Sequence, residues 1–276
     1  MTQWIRRSGQ WVTLFLAGIL STSGLAAGQY DDESLFEGIP LVSEAYEKGS
    51  FFAPEIGSYE DWSISYELGI NGSDGNAVNF NVSTGLDLER KTESRQTKIT
   101  FKYANASNDD VLTRDFALLR GRNEYLFGDS PWSLFAESLL EYDRFQAFDL
   151  RVTLASGLGY RFVDNDTTLI KSRMGLGTSR EIGGPNDEWK PELVLGGDFK
   201  HQLTDRQKLY CTIDYYPNWT EFSDFRLITD AGWELVLDGE SHTSLKIGVI
   251  DRYDSTPEGR KANDLNYSLL LMWKTK

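Results

Sequence analysis

Residues 148–162 read FDLRVTLASGLGYRF. Phe148, Leu150, Val152, Leu154, Leu158, Tyr160 and Phe162 fall on every second position, and only Ser156 interrupts the apolar set. Between them stand Asp149, Arg151, Thr153, Ala155, Gly157, Gly159 and Arg161. Apolar residues at period two define a strand with one greasy face. The alternation runs for fifteen residues, against a usual strand length of about 5–6. Such a strand needs an apolar medium along one whole face and a polar one along the other. A bilayer outside and a polar lumen inside supply both.

The pattern recurs along the chain. Trp62, Ile64, Tyr66, Leu68 and Ile70 alternate with Ser63, Ser65, Glu67 and Gly69. Ile99, Phe101 and Tyr103 alternate with Lys98, Thr100 and Lys102, and Leu265, Tyr267, Leu269, Leu271 and Trp273 form a last set. Turn-forming clusters such as NGSDGN, GDSP, VDND and TDRQ separate the segments. About twelve strands result, an even number, as in bacterial single-chain membrane barrels. The predicted fold is therefore all-β, an antiparallel transmembrane β-barrel of about twelve strands.

The connections alternate in length. RKTES, GDSP, VDND, TDRQ and DGES are short, and NGSDGN, NASNDD, DRFQA, REIGGPNDE, PNWTEFSD and DSTPEGRKAND are mostly longer. Short turns at one rim and longer loops at the other are expected of an outer-membrane barrel with both termini in the periplasm. A soluble sandwich gives no such parity.

The N-terminus reads as an address. MTQWIRR is basic, WVTLFLAGIL is apolar but too short to span a bilayer, and STSGLAA offers small residues for cleavage. Residues 1–27 are expected to be a signal peptide, 28–58 an acidic extension without sustained period, and 59–276 the barrel domain. The formal net charge of -14 argues against nucleic acid as a partner, because phosphate binding needs clustered Lys and Arg. The single cysteine, Cys211, allows no internal disulfide and falls on the lipid-facing parity.

The segments WSISYELGINGSDGNAVNFNVSTGLDL, DLRVTLASGLGYRF and DRYDSTPEGRKANDLNYSLLLMW, with the GDSPW turn and the loop at Tyr253–Pro257, resemble the domain of unknown function 481 family. Its members are described as salt-induced outer-membrane proteins. The resemblance spans about Trp62 to Trp273. It implies an outer-membrane barrel and carries no catalytic residues. It also implies a closing aromatic for the barrel-assembly machinery to read, and here Trp273 is followed by Lys-Thr-Lys.

The candidate functional residues are the charges on the inward parity: Arg120, Arg122, Glu137, Glu141, Arg151, Arg161, Arg173, Asp214, Arg226 and Glu234. They are expected to form a network that neutralises itself in a polar lumen, as a plug or a narrow channel. Twelve strands enclose far less space than a 16-stranded porin. No catalytic residue, metal ligand or cofactor is expected. His201 and His242 are placed by parity beside short turns, and ESHTSL around His242 only faintly resembles an outer-membrane phospholipase motif. Asp109 and Asp110 read as a solvated acidic loop. The glycines of GLGY and GLGT lie inside strands and are expected to relieve crowding on the inward face. The expected protein is a non-enzymatic outer-membrane barrel linked to salt or envelope stress, with outer-membrane lipids and the assembly machinery as partners. The alternatives are an outer-membrane hydrolase and a secreted soluble β-protein with an apolar ligand.

Overall fold

A computed structural model describes residues 61–73, 78–185 and 187–275. The expected signal peptide and acidic extension lie outside the described residues. Twelve strands follow one another: β1 Trp62–Ser73, β2 Asn79–Lys91, β3 Arg95–Asn108, β4 Val111–Leu126, β5 Trp132–Asp143, β6 Leu150–Asp164, β7 Thr168–Ile182, β8 Lys190–Thr204, β9 Gln207–Asn218, β10 Glu221–Asp238, β11 Thr243–Asp254 and β12 Asn263–Lys274. Each pairs antiparallel with its neighbours in sequence, and β12 returns to β1, so the ring is closed. Closure pairs the backbone polar groups internally around the ring, which is what hydrocarbon demands, with the β1–β12 seam the least paired part.

The alternation sorts the side chains as expected. On the outside, Met174 is 65 % and Leu176 54 % exposed in the middle of β7. Leu154, Leu158, Ile247 and Leu269 are exposed at the same belt. Aromatic rings flank it on both sides. Towards the rim that carries the ends of β1 and β12, Tyr66 stacks on Trp273, and Trp132 meets Tyr160 edge-on at 4.8 Å between centroids. Towards the other rim, Phe225 packs between Tyr215 and Tyr253 at 5.4 and 5.5 Å. An apolar belt between two aromatic girdles is the exterior of a membrane-spanning barrel and not of a soluble one.

The interior departs from the expected purely polar face. Phe135 and Leu139 of β5 point inward and are 1 % and 0 % exposed. With Phe116, Leu118, Val194, Tyr216 and Ile228 they form an apolar cluster inside the ring. Along Leu134–Leu140 β5 carries apolar residues on both faces, with Glu137 between Phe135 and Leu139 on the inner one, so period two alone does not reveal that its inner face is packed.

Two connections also differ from expectation. NASNDD and PNWTEFSD are not loops: β3 and β4 pair up to Asn108–Val111, and β9 and β10 up to Asn218–Glu221. The hairpin tip Asp109–Asp110 has φ of 48° and 61°, the left-handed pair that a tight two-residue turn requires. The polar residues of NASNDD continue the β3–β4 ladder, whereas in PNWTEFSD the β9–β10 ladder shifts register between Glu221 and Phe225 before its last pair. The distal-rim connections are therefore of mixed length, with 144–149, 183–189 and 255–262 the long ones.

Glycine is required where β6 meets β7. Gly157 pairs with Gly175, and a Cβ on either would run into the facing backbone. The two strands approach closely there, on the inward face, as expected of the GLGY and GLGT segments.

The closing seam is short. β1 and β12 pair only from Ser65–Lys274 to Leu68–Leu271, whereas β1 and β2 pair from Trp62–Arg90 to Ser73–Asn79. The residues after Trp273 take part in closure. Thr275 donates its N–H to the Ile64 carbonyl at 2.9 Å, and its hydroxyl accepts the Ile64 N–H at 3.0 Å.

Candidate functional site: a bridged lumen

The inward charges of strands far apart in the ring meet across the interior. Arg120 of β4 reaches Asp214 of β9 at 2.5 Å. Four strands separate β4 from β9 on the shorter side of the ring, so this contact spans the lumen. Asp214 is 1 % exposed and also accepts from Arg173 of β7 at 2.7 Å. Arg173 turns its other amino group to Asp198 of β8. Arg122 pairs with Glu137 of β5 at 2.5 Å, and the Tyr216 hydroxyl donates to the other Glu137 oxygen at 2.9 Å. Strands β4, β5, β7, β8 and β9 are tied together in one layer.

A second layer lies on the distal side. Arg226 of β10 holds Glu192 of β8 at 2.8 Å and Glu141 of β5 at 3.0 Å, donates to the Thr153 hydroxyl of β6 at 3.0 Å, and lies over the Tyr216 ring. A third, nearer the distal rim, joins Arg151 of β6 to Glu181 and, at 2.5 Å, to Asp254 of β11. There Arg252 pairs with Asp143 at 2.5 Å and covers the Phe116 ring at 4.0 Å. On the side of the seam, Lys246 bonds Glu67 at 2.5 Å and Lys102 bonds Asp230. Lys171 closes on Glu124 at 2.6 Å. Buried charges of this kind are tolerable only when paired and hydrogen-bonded.

The ten residues singled out from the sequence therefore divide. Arg120, Arg122, Glu137, Arg173 and Asp214 form one cluster, and Arg226 and Glu141 belong to the next. Arg151 joins the distal layer through Glu181 and Asp254, which are not among the ten. Glu234 sits apart, near the proximal rim, with Lys274 at 2.9 Å and Lys208 at 3.4 Å. Arg161 is the correction. It pairs in register with Lys171 of β7 but turns its side chain to Asp164 at 2.9 Å and the Ser130 carbonyl at 2.7 Å at the proximal rim, outside the charge layers. Glu192, Asp198, Asp230, Lys102, Lys171 and Lys246 all share the inward parity, so that signal could have found them. Tyr216 carries a polar tip on an aromatic body and gave no charge signal.

The histidines stand outside this interior. His201 shares a 2.8 Å hydrogen bond with the Thr168 hydroxyl and stacks on Phe199. His242 occupies the β10–β11 turn at φ 54°, where its carbonyl accepts the Lys274 N–H. Among the described residues no group of three or more His, Cys, Asp and Glu is arranged to hold a metal ion.

Between the central layer and the proximal rim lies a cavity of about 180 Å³, lined by Lys98, Lys200, Lys208, Lys274, Glu89 and Glu234 at its mouth and by Arg120 and Asp214 deeper in.

Fold and interior together define a membrane-type β-barrel whose lumen is crossed by charge pairs. The chain matches the family described as protein of unknown function, DUF481, over residues 66–274 and belongs to it. No curated protein matches it in sequence. Among solved structures the barrel is similar to the NanC porin, at 8 % identity over 78 % of this chain and 100 % of that one, with a TM-score of 0.45. It is also similar to the KdgM porin, at 12 % identity over 76 % and 98 %, with a TM-score of 0.40. An outer-membrane channel from Pseudomonas putida F1 is a third, at 10 % identity over 77 % and 93 %, with a TM-score of 0.41.

Proposed function

We propose that this protein is a non-enzymatic outer-membrane barrel whose lumen is closed at rest by cross-strand charge pairs and an apolar cluster. The Arg120–Asp214 bridge carries the reading: a 2.5 Å contact between strands on opposite sides of the ring leaves no continuous water column on that line. The apolar cluster of Phe135, Leu139 and Tyr216 beside it fills space that a porin leaves to water. The apolar belt and its two girdles support residence in a bilayer with lipids as direct partners. The basic, apolar and small-residue order of residues 1–27 supports export and insertion by the barrel-assembly machinery, with both termini periplasmic. The hydrolase alternative would need a nucleophile and base in hydrogen-bond reach, whereas His201 and His242 are engaged at the surface and in a turn. The soluble alternative would need the apolar face inside, and it is outside. The stress link implied by the family resemblance belongs to the same proposal and is checked by protein level in cells grown at high and low salt.

A second reading, a narrow channel gated at the charge layers, is favoured by the cavity that already opens the proximal part of the lumen. Liposome swelling in a series of sugars tests the two readings. The closed barrel gives no swelling above protein-free vesicles, and swelling that falls with sugar size would establish the channel.

A further inference from the structure

The proximal cavity is not neutralised in the way the rest of the lumen is. Deeper in, cations and carboxylates match in number: Arg120, Arg122 and Arg173 share Asp214, Glu137 and Asp198, Lys171 has Glu124, and Lys102 has Asp230. At the mouth four lysines share too few. Lys208 and Lys274 divide one carboxylate, Glu234, at 3.4 and 2.9 Å. Lys98 reaches only Asp87, at 3.9 Å, and that carboxylate already accepts the Thr100 hydroxyl at 2.6 Å. Lys200 lines the same cavity and faces the Glu89 carboxylate, but makes no hydrogen bond or ion pair within 4 Å among the described residues. Glu89, the remaining acid of the mouth, is bonded by the Gln96 amide at 2.7 Å and also faces Lys200, Lys98 and Lys208, so four lysines face three carboxylates there. Further in, the Arg120 Nε is buried without a hydrogen-bond partner among the described residues.

This concentration of cations is unusual in a chain of net charge -14. Ammonium groups gathered around one enclosed space repel each other unless an anion joins them, and the low-dielectric wall strengthens both effects. The Arg120–Asp214 pair forms part of the cavity's inner wall. Its volume of about 180 Å³ suits a small solute and not a polymer. Lysines present compact, strongly hydrated charges with rotatable donors, which favours a compact oxyanion over an extended apolar one. We propose that this vestibule is a binding site for a small polyvalent phosphate anion, of the inorganic phosphate, pyrophosphate or phosphomonoester class, entering from the rim that carries the ends of β1 and β12. Lys98, Lys200, Lys208 and Lys274 surround it, and Lys200 is the residue most committed to it.

The site depends on the barrel and not on whether the lumen conducts, so it is tested separately from the closed-lumen reading. The measurement is isothermal titration of the folded full-length protein, in zwitterionic micelles at low ionic strength, with sodium pyrophosphate, inorganic phosphate and glucose 6-phosphate in parallel arms. Sodium chloride at matched ionic strength is the control. Saturable binding near one site per barrel is expected in the pyrophosphate arm, and the other arms separate free phosphate from a phosphomonoester as the better occupant. Lys200→Gln should weaken binding at least tenfold while leaving folded mobility on cold SDS gels unchanged, because no ion pair with a described residue is lost. Lys190→Gln, whose partner is Asp224 at the opposite rim, should bind like the parent. Absence of saturable binding in all three arms, or equal binding by the Lys200→Gln protein, overturns the proposal.

Discussion

Arg120 and Asp214 stand on strands separated by four others around the ring, yet their side chains meet at 2.5 Å. Asp214 simultaneously holds Arg173 at 2.7 Å. One carboxylate thus fastens two guanidinium groups from β4 and β7 to β9. Removing it leaves two buried cations without their shared counter-charge. Asp214→Ala is expected to lower the unfolding free energy by about 3–5 kcal/mol, the cost of breaking a buried pair. The check is urea unfolding in lipid vesicles followed by tryptophan fluorescence. Asp214→Asn, which keeps the size but not the charge, should fall between the parent and Asp214→Ala.

Leu154 and Arg151 lie on opposite faces of β6 and should respond to different media. Leu154 is 46 % exposed on the outer belt, so Leu154→Arg places a charge in hydrocarbon at about 2–4 kcal/mol near the midplane. Arg151→Leu strips Glu181 and Asp254 of their shared cation, at a comparable expense but inside the barrel. Folded yield in vesicles of increasing acyl-chain length separates them. The Leu154→Arg defect should grow with bilayer thickness and the Arg151→Leu defect should not.

Closure at the seam depends on residues beyond the last aromatic. Thr275 supplies both a donor and an acceptor to Ile64, next to a β1–β12 ladder of only four residue pairs. Thr275→Pro removes the N–H and is expected to lower the temperature at which the compact SDS-resistant band converts to the unfolded one. Thr220→Pro in the distal β9–β10 turn, which disturbs no seam contact, serves as the control. Equal conversion temperatures for Thr275→Pro and the parent would show that the seam closes without it.

Orientation is read from accessibility. An epitope placed in the connection 183–189 should be reached by antibody on intact cells, and one placed in the turn 205–206 only after the outer membrane is opened. The opposite pattern would invert the barrel and place the basic vestibule at the cell surface.

All twelve strands and their lipid-facing sides were legible in the sequence, because period-two alternation survives wherever one face meets lipid. Leu154, Met174 and Leu269 are where parity puts them. What parity does not carry is depth and partner. That Arg120 meets Asp214, and not the inward carboxylate of an adjacent strand, depends on strand tilt and stagger around the closed ring. Phe135 and Leu139 were hidden because β5 carries apolar residues on both faces and Glu137 and Glu141 mark its inner face as polar. Arg161 shares the parity of Arg151 but lies at the proximal end of β6, and period two does not say where along a strand the lumen ends. The tips at Asp109–Asp110 and Trp219–Thr220 looked like loops because strands that rise above the bilayer no longer need an apolar face.

The closed lumen is tested most directly by single-channel recording in a planar bilayer, with the refolded parent beside a double Arg120→Ala, Asp214→Ala variant. The double change removes the bridge without leaving either of its two partners facing the other's empty place, and it trims side chains on the line between vestibule and distal layers. A silent parent at both polarities and discrete conductance steps for the variant are expected. Stable steps from the parent, unchanged in the variant, would contradict a lumen closed by the Arg120–Asp214 layer.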